Sequence, residues 1–228
     1  MINLFLAEAI AITMDLTTLP PHFEDLQIPP HVQVIAASKT KSADHIRAVY
    51  RVGFRNFGEN YLQEALPKIT LLRDLPDIRW HFIGQLQSNK VKTVAEVFDM
   101  VQSVDSLKLA HKLDSACQTI QKRLPVLIQV NIGHEPQKGG VLPADLEKIC
   151  QYCSSCRNLD LQGLMAIPPL DQNPIPYFTQ MKTLYSTLQD HYNLHILSLG
   201  MSADYHDAIL YGGANMIRIG TKIFGERR

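Results

Sequence analysis

The sequence is short of net charge: 22 Lys and Arg balance 22 Asp and Glu. A broad electrostatic partner such as duplex DNA or an anionic membrane surface wants a basic excess, so neither is expected. A small anion held by a few local donors remains allowed. Cysteine is scarce, four in 228 residues, too few for a disulfide scaffold. No apolar run approaches the ~18–20 residues of a membrane span. The apolar start from Met1 to Met14 is interrupted by Glu8 and preceded by no basic residue. No secretory signal is read there, and the expected location is the cytoplasm. Linkers, low-complexity tracts and internal repeats are also missing.

What is present is an ordinary globular balance, 46% hydrophobic and 19% charged, which excludes disorder. The length lies between one large domain and two small ones, on roughly 100–200 residues per domain. The pattern decides between them. β-rich runs are read at Val32–Ser38, Phe54–Gly58, Ile78–Gly84, Met100–Val104, Pro125–Ile132, Leu159–Ile167, His195–Leu199 and Met216–Gly220. Helical stretches separate them: Ala43–Val52, from Tyr61 to before Pro76, Ser88–Glu96, Ser106–Gln121, Ala144–Cys153, Tyr177–His191 and Tyr205–Tyr211.

Such alternation implies parallel βαβ units. Eight of them in this length favour a single closed (β/α)8 TIM barrel, whose lower size limit is about 200 residues, over an open doubly wound sheet. The whole chain, 1–228, is read as one domain. Residues 1–30 are expected to be an N-terminal extension packing on the barrel, where Pro20, Pro21, Pro29 and Pro30 would confine any helix to Met1–Leu19. No helix is expected after strand eight.

Side-chain parity along the strands singles out candidates. Gln33, Ile35, Ala37 and Lys39 share a face, so Lys39 would point inward at the C-terminal rim, where functional groups of this fold collect. Partly removed from water, its amine could attack an aldehyde; a surface lysine at a strand end is the alternative. On strand eight Met216, Arg218 and Gly220 share one face and Ile217 and Ile219 the other. The isoleucines suit the helix-facing side, which leaves Arg218 inside. It would either fill the barrel in a salt bridge to a neighbouring strand or face a ligand.

Gly200-Met201-Ser202 and Gly220-Thr221 fall in the loops after strands seven and eight, where such barrels bind phosphate through backbone N–H groups. Asn60 could donate to a ligand oxygen from the rim. His81 shares a face with Arg79 and Ile83, either towards a ligand or as a satisfied structural histidine. Cys150, Cys153 and Cys156 outwardly resemble an iron–sulfur run, but Arg157-Asn158-Leu159 follow instead of the fourth Cys and Pro. They are read as a helix end and its turn, with no metal expected.

Ser38-Lys39-Thr40, Phe57-Gly58-Glu59-Asn60, the run from Trp80 to Lys90 and the closing Arg218–Gly225 together resemble the pyridoxal phosphate homeostasis proteins, the YggS/PROSC family. The likeness spans about Val32 to Arg227. Asn131-Ile132-Gly133, Gly163-Leu164-Met165 and the run from Leu199 to Asp204 add to it. The first thirty residues depart from that family's polar first helix.

The resemblance implies the barrel of the alanine racemase N-terminal domain, the fold-type III arrangement for pyridoxal 5'-phosphate (PLP). Lys39 would be the Schiff-base lysine, holding PLP covalently. Ser202, Gly220 and Thr221 would hold the phosphate, and Arg218 would approach the pyridine nitrogen. Asn60, Met165 and His81 would line the ring pocket. A cation beside that nitrogen opposes its protonation, and PLP is a good electron sink when the nitrogen is protonated.

Arg218 therefore suits holding PLP more than sustained carbanion chemistry. The leading expectation is a non-catalytic PLP carrier, affecting amino-acid and keto-acid metabolism. Its partners would be PLP itself and PLP-dependent apo-enzymes, with no nucleic acid and no membrane, as a monomer or weak dimer. The runner-up is an amino-acid racemase of the alanine racemase type. That reaction also needs a tyrosine from a second, β-rich domain, and the sequence ends eight residues after strand eight. A phosphate-binding barrel without PLP is the third expectation.

Overall fold

In the computed structural model, which describes residues 26–225, the strands close on one another in sequential order. They are β1 (Gln33–Ala37), β2 (Asn56–Glu59), β3 (Arg79–Phe82), β4 (Met100–Val104), β5 (Leu124–Val130), β6 (Leu159–Ala166), β7 (Ile196–Met201) and β8 (Met216–Ile219). All pair in parallel, and β1 meets β8 with Gln33 opposite Met216 and Ala36 opposite Ile219. Between them run α1 (Ala43–Arg51), α2 (Leu62–Leu71), α3 (Val91–Val97), α4 (Leu107–Thr119), α5 (Leu146–Ser155), α6 (Ile175–Tyr192) and α7 (Tyr205–Leu210). This is the (β/α)8 barrel that the alternation predicts.

A short α8 (Thr221–Phe224) follows β8, where the sequence reading expects no helix. The Gly220 carbonyl accepts from the N–H groups of both Ile223 and Phe224, which closes the turn in very few residues. The expected helix within Met1–Leu19 lies outside the described residues. At the start of the described chain Leu26 is buried, and its carbonyl accepts from Tyr205 Oη on α7 at 3.0 Å.

Local chemistry sets the ends of several elements. Ser42 caps α1 by accepting from His45 N, and Ser106 caps α4 by accepting from Leu109 N. Asn193 ends α6 in the left-handed region, with φ 53°. β2 starts two residues later than the periodicity suggests. Arg55 Nη1 donates to the carbonyls of Tyr50 and Phe54 there, holding the segment against the end of α1 before strand pairing begins at Asn56.

The apolar residues form two clusters, as a packed parallel barrel requires. The larger lies between strands and helices and includes Ile217 and Ile219. The smaller fills the barrel with Ile35, Met100, Leu127, Met165 and Met216. β6 carries Gly163 where a Cβ would collide with the Ile196 carbonyl of β7, so glycine permits that close strand approach.

Candidate functional site at the barrel rim

β1 ends in the turn that carries Lys39. Its preceding residue, Ser38, is held from several directions: its N–H donates to the Gly58 carbonyl at 2.9 Å and its hydroxyl donates to Glu59 Oε1 at 2.6 Å. Lys68, reaching up from α2, donates to the Ser38 carbonyl at 2.9 Å and to both Glu59 oxygens at 2.8 and 2.9 Å. Glu59 is fully buried. Burial pushes its carboxyl above the ordinary range, opposed by the hydrogen bonds from Lys68 and Ser38. An ion pair thus lies directly beneath the Lys39 turn. Lys39 itself is half-buried, and two residues on, Lys41 Nζ donates to the Phe224 and Gly225 carbonyls.

The seam between β1 and β8 brings the next candidates together. Arg218 lies opposite Ile35 in the β1–β8 register and opposite Met201 on β7. It is 4% exposed, so its guanidinium must find partners inside the protein. Nη1 donates to the Ser198 carbonyl at 2.9 Å and the Ser198 hydroxyl at 2.7 Å, and Nη2 donates to the Ala166 carbonyl at 3.0 Å. No salt bridge to Arg218 occurs among the described residues, so the barrel-filling alternative takes a different form: its partners are neutral. Burial lowers the guanidinium to about 10, against a raising influence from Asp204. It remains a cation at neutral pH.

Ser202 and Gly220 also meet, since Gly220 N–H donates to Ser202 Oγ at 3.1 Å. That contact leaves the serine O–H as a donor. Gly200 makes the turn possible: it has φ 84°, and a Cβ there would press to 2.7 Å from the Ala208 Cβ. A Cβ on Gly220 would meet Ala37 O only at 3.5 Å, so the rim is open at that point. Thr221 is exposed at the first position of α8.

The remaining candidates separate. Asn60 stands at the end of β2, and its Oδ1 is buried without a hydrogen-bond partner among the described residues. It lines a cavity of about 200 Å³ together with Gln85, Gln129, Asn131 and Lys138 on the β2–β5 side of the rim. Lys39, Arg218 and Ser202 do not line that cavity. Met165 is fully buried in the inner apolar cluster.

His81 is 4% exposed with both ring nitrogens engaged, by Asn56 Oδ1 at 3.1 Å and Gln102 Nε2 at 3.2 Å. Its structural reading prevails over the ligand-facing one, because neither nitrogen is left for a ligand. Burial first, and Arg79 second, lower the imidazole to about 4, so it is neutral near pH 7.

Cys150 and Cys153 are buried on α5, and Cys156 caps that helix. Burial, with Glu147 adding to it, pushes the Cys150 thiol up to about 12, away from the thiolate that ligates metals. No cluster of three or more His, Cys, Asp or Glu among the described residues is placed to hold a metal. No helix among them is long and apolar enough to cross a membrane.

Lys68, Gln102 and Ser198 escaped the sequence reading. A signal existed for each. Lys68 follows Leu62 and Ala65 at helical spacing, so a cation sits in the buried stripe of α2. Ser198 stands between Leu197 and Leu199, and Gln102 with Ser103 interrupts the otherwise apolar β4.

The barrel with its seam of Lys39, Arg218, Ser202 and Gly220 belongs to a recognised class: the alanine racemase N-terminal domain model matches residues 25–228. A pyridoxal phosphate homeostasis protein of Synechocystis sp. is 40% identical over 205 residues, covering 88% of this chain and 94% of that protein. The chain belongs to the pyridoxal phosphate homeostasis protein family. PipY of Synechococcus elongatus, solved with PLP bound, superposes with a TM-score of 0.81 at 40% identity, covering 87% of this chain and 95% of that one. An alanine racemase of Clostridium difficile in complex with cycloserine matches with a TM-score of 0.70 at 13% identity. It covers 88% of this chain and 56% of the racemase, a likeness of fold alone.

Proposed function

We propose that this protein holds pyridoxal 5'-phosphate reversibly on Lys39 and serves PLP homeostasis, releasing the cofactor to PLP-dependent apo-enzymes. The observation that carries the reading is the β8–β1 seam. It joins an amine-bearing turn, a buried guanidinium with neutral partners and a hydroxyl-bearing loop, in a chain 40% identical to a barrel solved with PLP.

The residues suit the group. Ser202 accepts from the Gly220 N–H and so keeps its own O–H to give to a phosphate oxygen, with Thr221 beside it at the first position of α8. The buried, partnerless Oδ1 of Asn60 leaves room for a polar partner from the adjoining cavity, which Lys39, Arg218 and Ser202 do not line. Met165 and His81 are buried in the barrel, Met165 within the inner apolar cluster.

PLP supplies an aldehyde that condenses with amines and a ring that withdraws electrons. Lys39 supplies the amine, and the Ser38–Glu59–Lys68 cluster fixes the turn that carries it. Arg218 presents a permanent cation inside the barrel, which disfavours a second positive charge on a ring nitrogen beside it. That weakens the electron sink and favours carriage over turnover.

The purified protein, incubated with PLP and reduced with borohydride, should carry a stable adduct that peptide mass mapping places on Lys39. Lys39→Ala should carry none. An adduct of equal yield in Lys39→Ala would refute the assignment. Robust conversion of L- to D-alanine, lost in Lys39→Ala, would overturn the carrier reading in favour of a racemase.

A further inference from the structure

Arg218 is the end of a hydrogen-bond chain that crosses the barrel. Ser198 on β7 and Gln102 on β4 are not on neighbouring strands, yet Ser198 Oγ lies 2.8 Å from Gln102 Oε1, a contact made through the interior. Gln102 Nε2 continues to His81 Nδ1 at 3.2 Å on β3, and His81 Nε2 to Asn56 Oδ1 at 3.1 Å on β2. Gln102 Nε2 also lies 3.2 Å from the Met216 sulfur.

The chemistry of the members sets the direction. A guanidinium has only donors, so Ser198 Oγ accepts from Arg218 and its own proton goes to Gln102 Oε1. The Gln102 amide then donates to His81 Nδ1, and the neutral imidazole carries its proton on Nε2, facing Asn56. Reversing the Gln102 amide would leave the Ser198 proton without an acceptor and set an oxygen lone pair against the Met216 sulfur. Every donor therefore points away from Arg218.

The chain contains no carboxylate. The acidic influence that reaches Arg218 comes from Asp204, whose Oδ1 is engaged by Met201 N–H at 2.6 Å.

We propose that Ser198 and Gln102, backed by His81, are positioning residues for Arg218: their one-way chain fixes the guanidinium and keeps it free of a charged partner, so that it acts at full charge on the PLP ring nitrogen. This rests on the PLP reading above. It assigns to Ser198 and Gln102 a role exerted through Arg218, and it explains a polar strip within an otherwise apolar barrel interior.

Gln102→Glu keeps the shape and places a carboxylate one hydroxyl away from Arg218. Ser198→Ala cuts the chain with little change of volume. Nitrogen-15 NMR of the ligand-free protein should find His81 protonated on Nε2 at neutral pH. In Gln102→Glu, which has no proton to give Nδ1, the His81 proton should move to that nitrogen. After PLP loading, the visible band of Gln102→Glu should shift towards that of ring-protonated PLP. Ser198→Ala should retain PLP roughly tenfold less well, the scale of one hydrogen bond to a charged group, without that shift.

An identical His81 signal in the parent and Gln102→Glu overturns the chain. An altered His81 signal with an unmoved visible band overturns its influence on Arg218. Because the NMR arm needs no ligand, these outcomes differ from failure of the PLP reading, in which the parent itself forms no borohydride-fixed adduct and the proposal falls with it.

Discussion

Acidification should unfold this protein partly through one histidine. His81 titrates near 6.5 in an unfolded chain but near 4 in the folded barrel, because burial penalises its imidazolium. The unfolded state therefore binds the proton first as pH falls. The stability held by neutral His81 is complete above the unfolded value and is lost between the two values. With about 1.4 kcal/mol per pKa unit, the full loss is about 3 kcal/mol, most of it expressed by about pH 4.5.

The group is fully enclosed, so solvent screening takes little from that figure. The perturbation is His81→Gln, which keeps a polar side chain in the barrel and removes the titration. Urea unfolding of both proteins at about pH 7.5 and about pH 4.5 gives four free energies. The parent should lose about 2–3 kcal/mol more than the variant over that interval. A difference under about 1 kcal/mol would refute the picture of a histidine sealed from protons.

The ion pair beneath Lys39 gives a second test. Lys68→Met strands a buried carboxylate on Glu59 and should cost about 3–5 kcal/mol in urea unfolding, while Glu59→Leu with Lys68→Met together should cost less than that single change. Equal or larger loss in the double variant would show that the two charges are not coupled. Gly163→Ala, which sets a Cβ against the Ile196 carbonyl, should cost about 3 kcal/mol or more. That corresponds to a Tm lower by roughly 6–12 °C in a calorimetric scan. Gly53→Ala is the control for conformation alone: φ is 106° but the space is open, so the loss should stay near 1–2 kcal/mol, flagged by a drop of only about 2–8 °C.

Periodicity made the architecture legible because a parallel barrel repeats one unit, and each unit carries its own parity. Ile217 and Ile219 in the outer cluster, with Met216 in the inner one, bear out the reading of strand eight. That same parity put Arg218 inside. It could not name the partners, since they are supplied by β6 and β7.

The Ser198–Gln102 bond shares this difficulty. Parity tells which face a polar side chain occupies, whereas pairing across the barrel depends on the angular position of strands far apart in sequence. Element ends erred for local reasons. The helix expected from Ser88 begins at Val91 because Lys90 N–H donates to the Gln87 carbonyl, closing a turn first. The one expected from Ala144 is preceded by a 3-10 turn over Pro143–Asp145.

The seam where β1 meets β8 also has a consequence in time. Lys41 bonds to a carbonyl 183 residues further along the chain, and Lys39 and Arg218 stand on either side of the same closure. During synthesis the turn that carries these lysines waits for the 183 residues between Lys41 and Phe224 before its surroundings exist. A chain still lacking β8 therefore leaves that turn without its neighbours across the closure. Pairing of β1 with β8 is a long-range contact of the kind that slows folding.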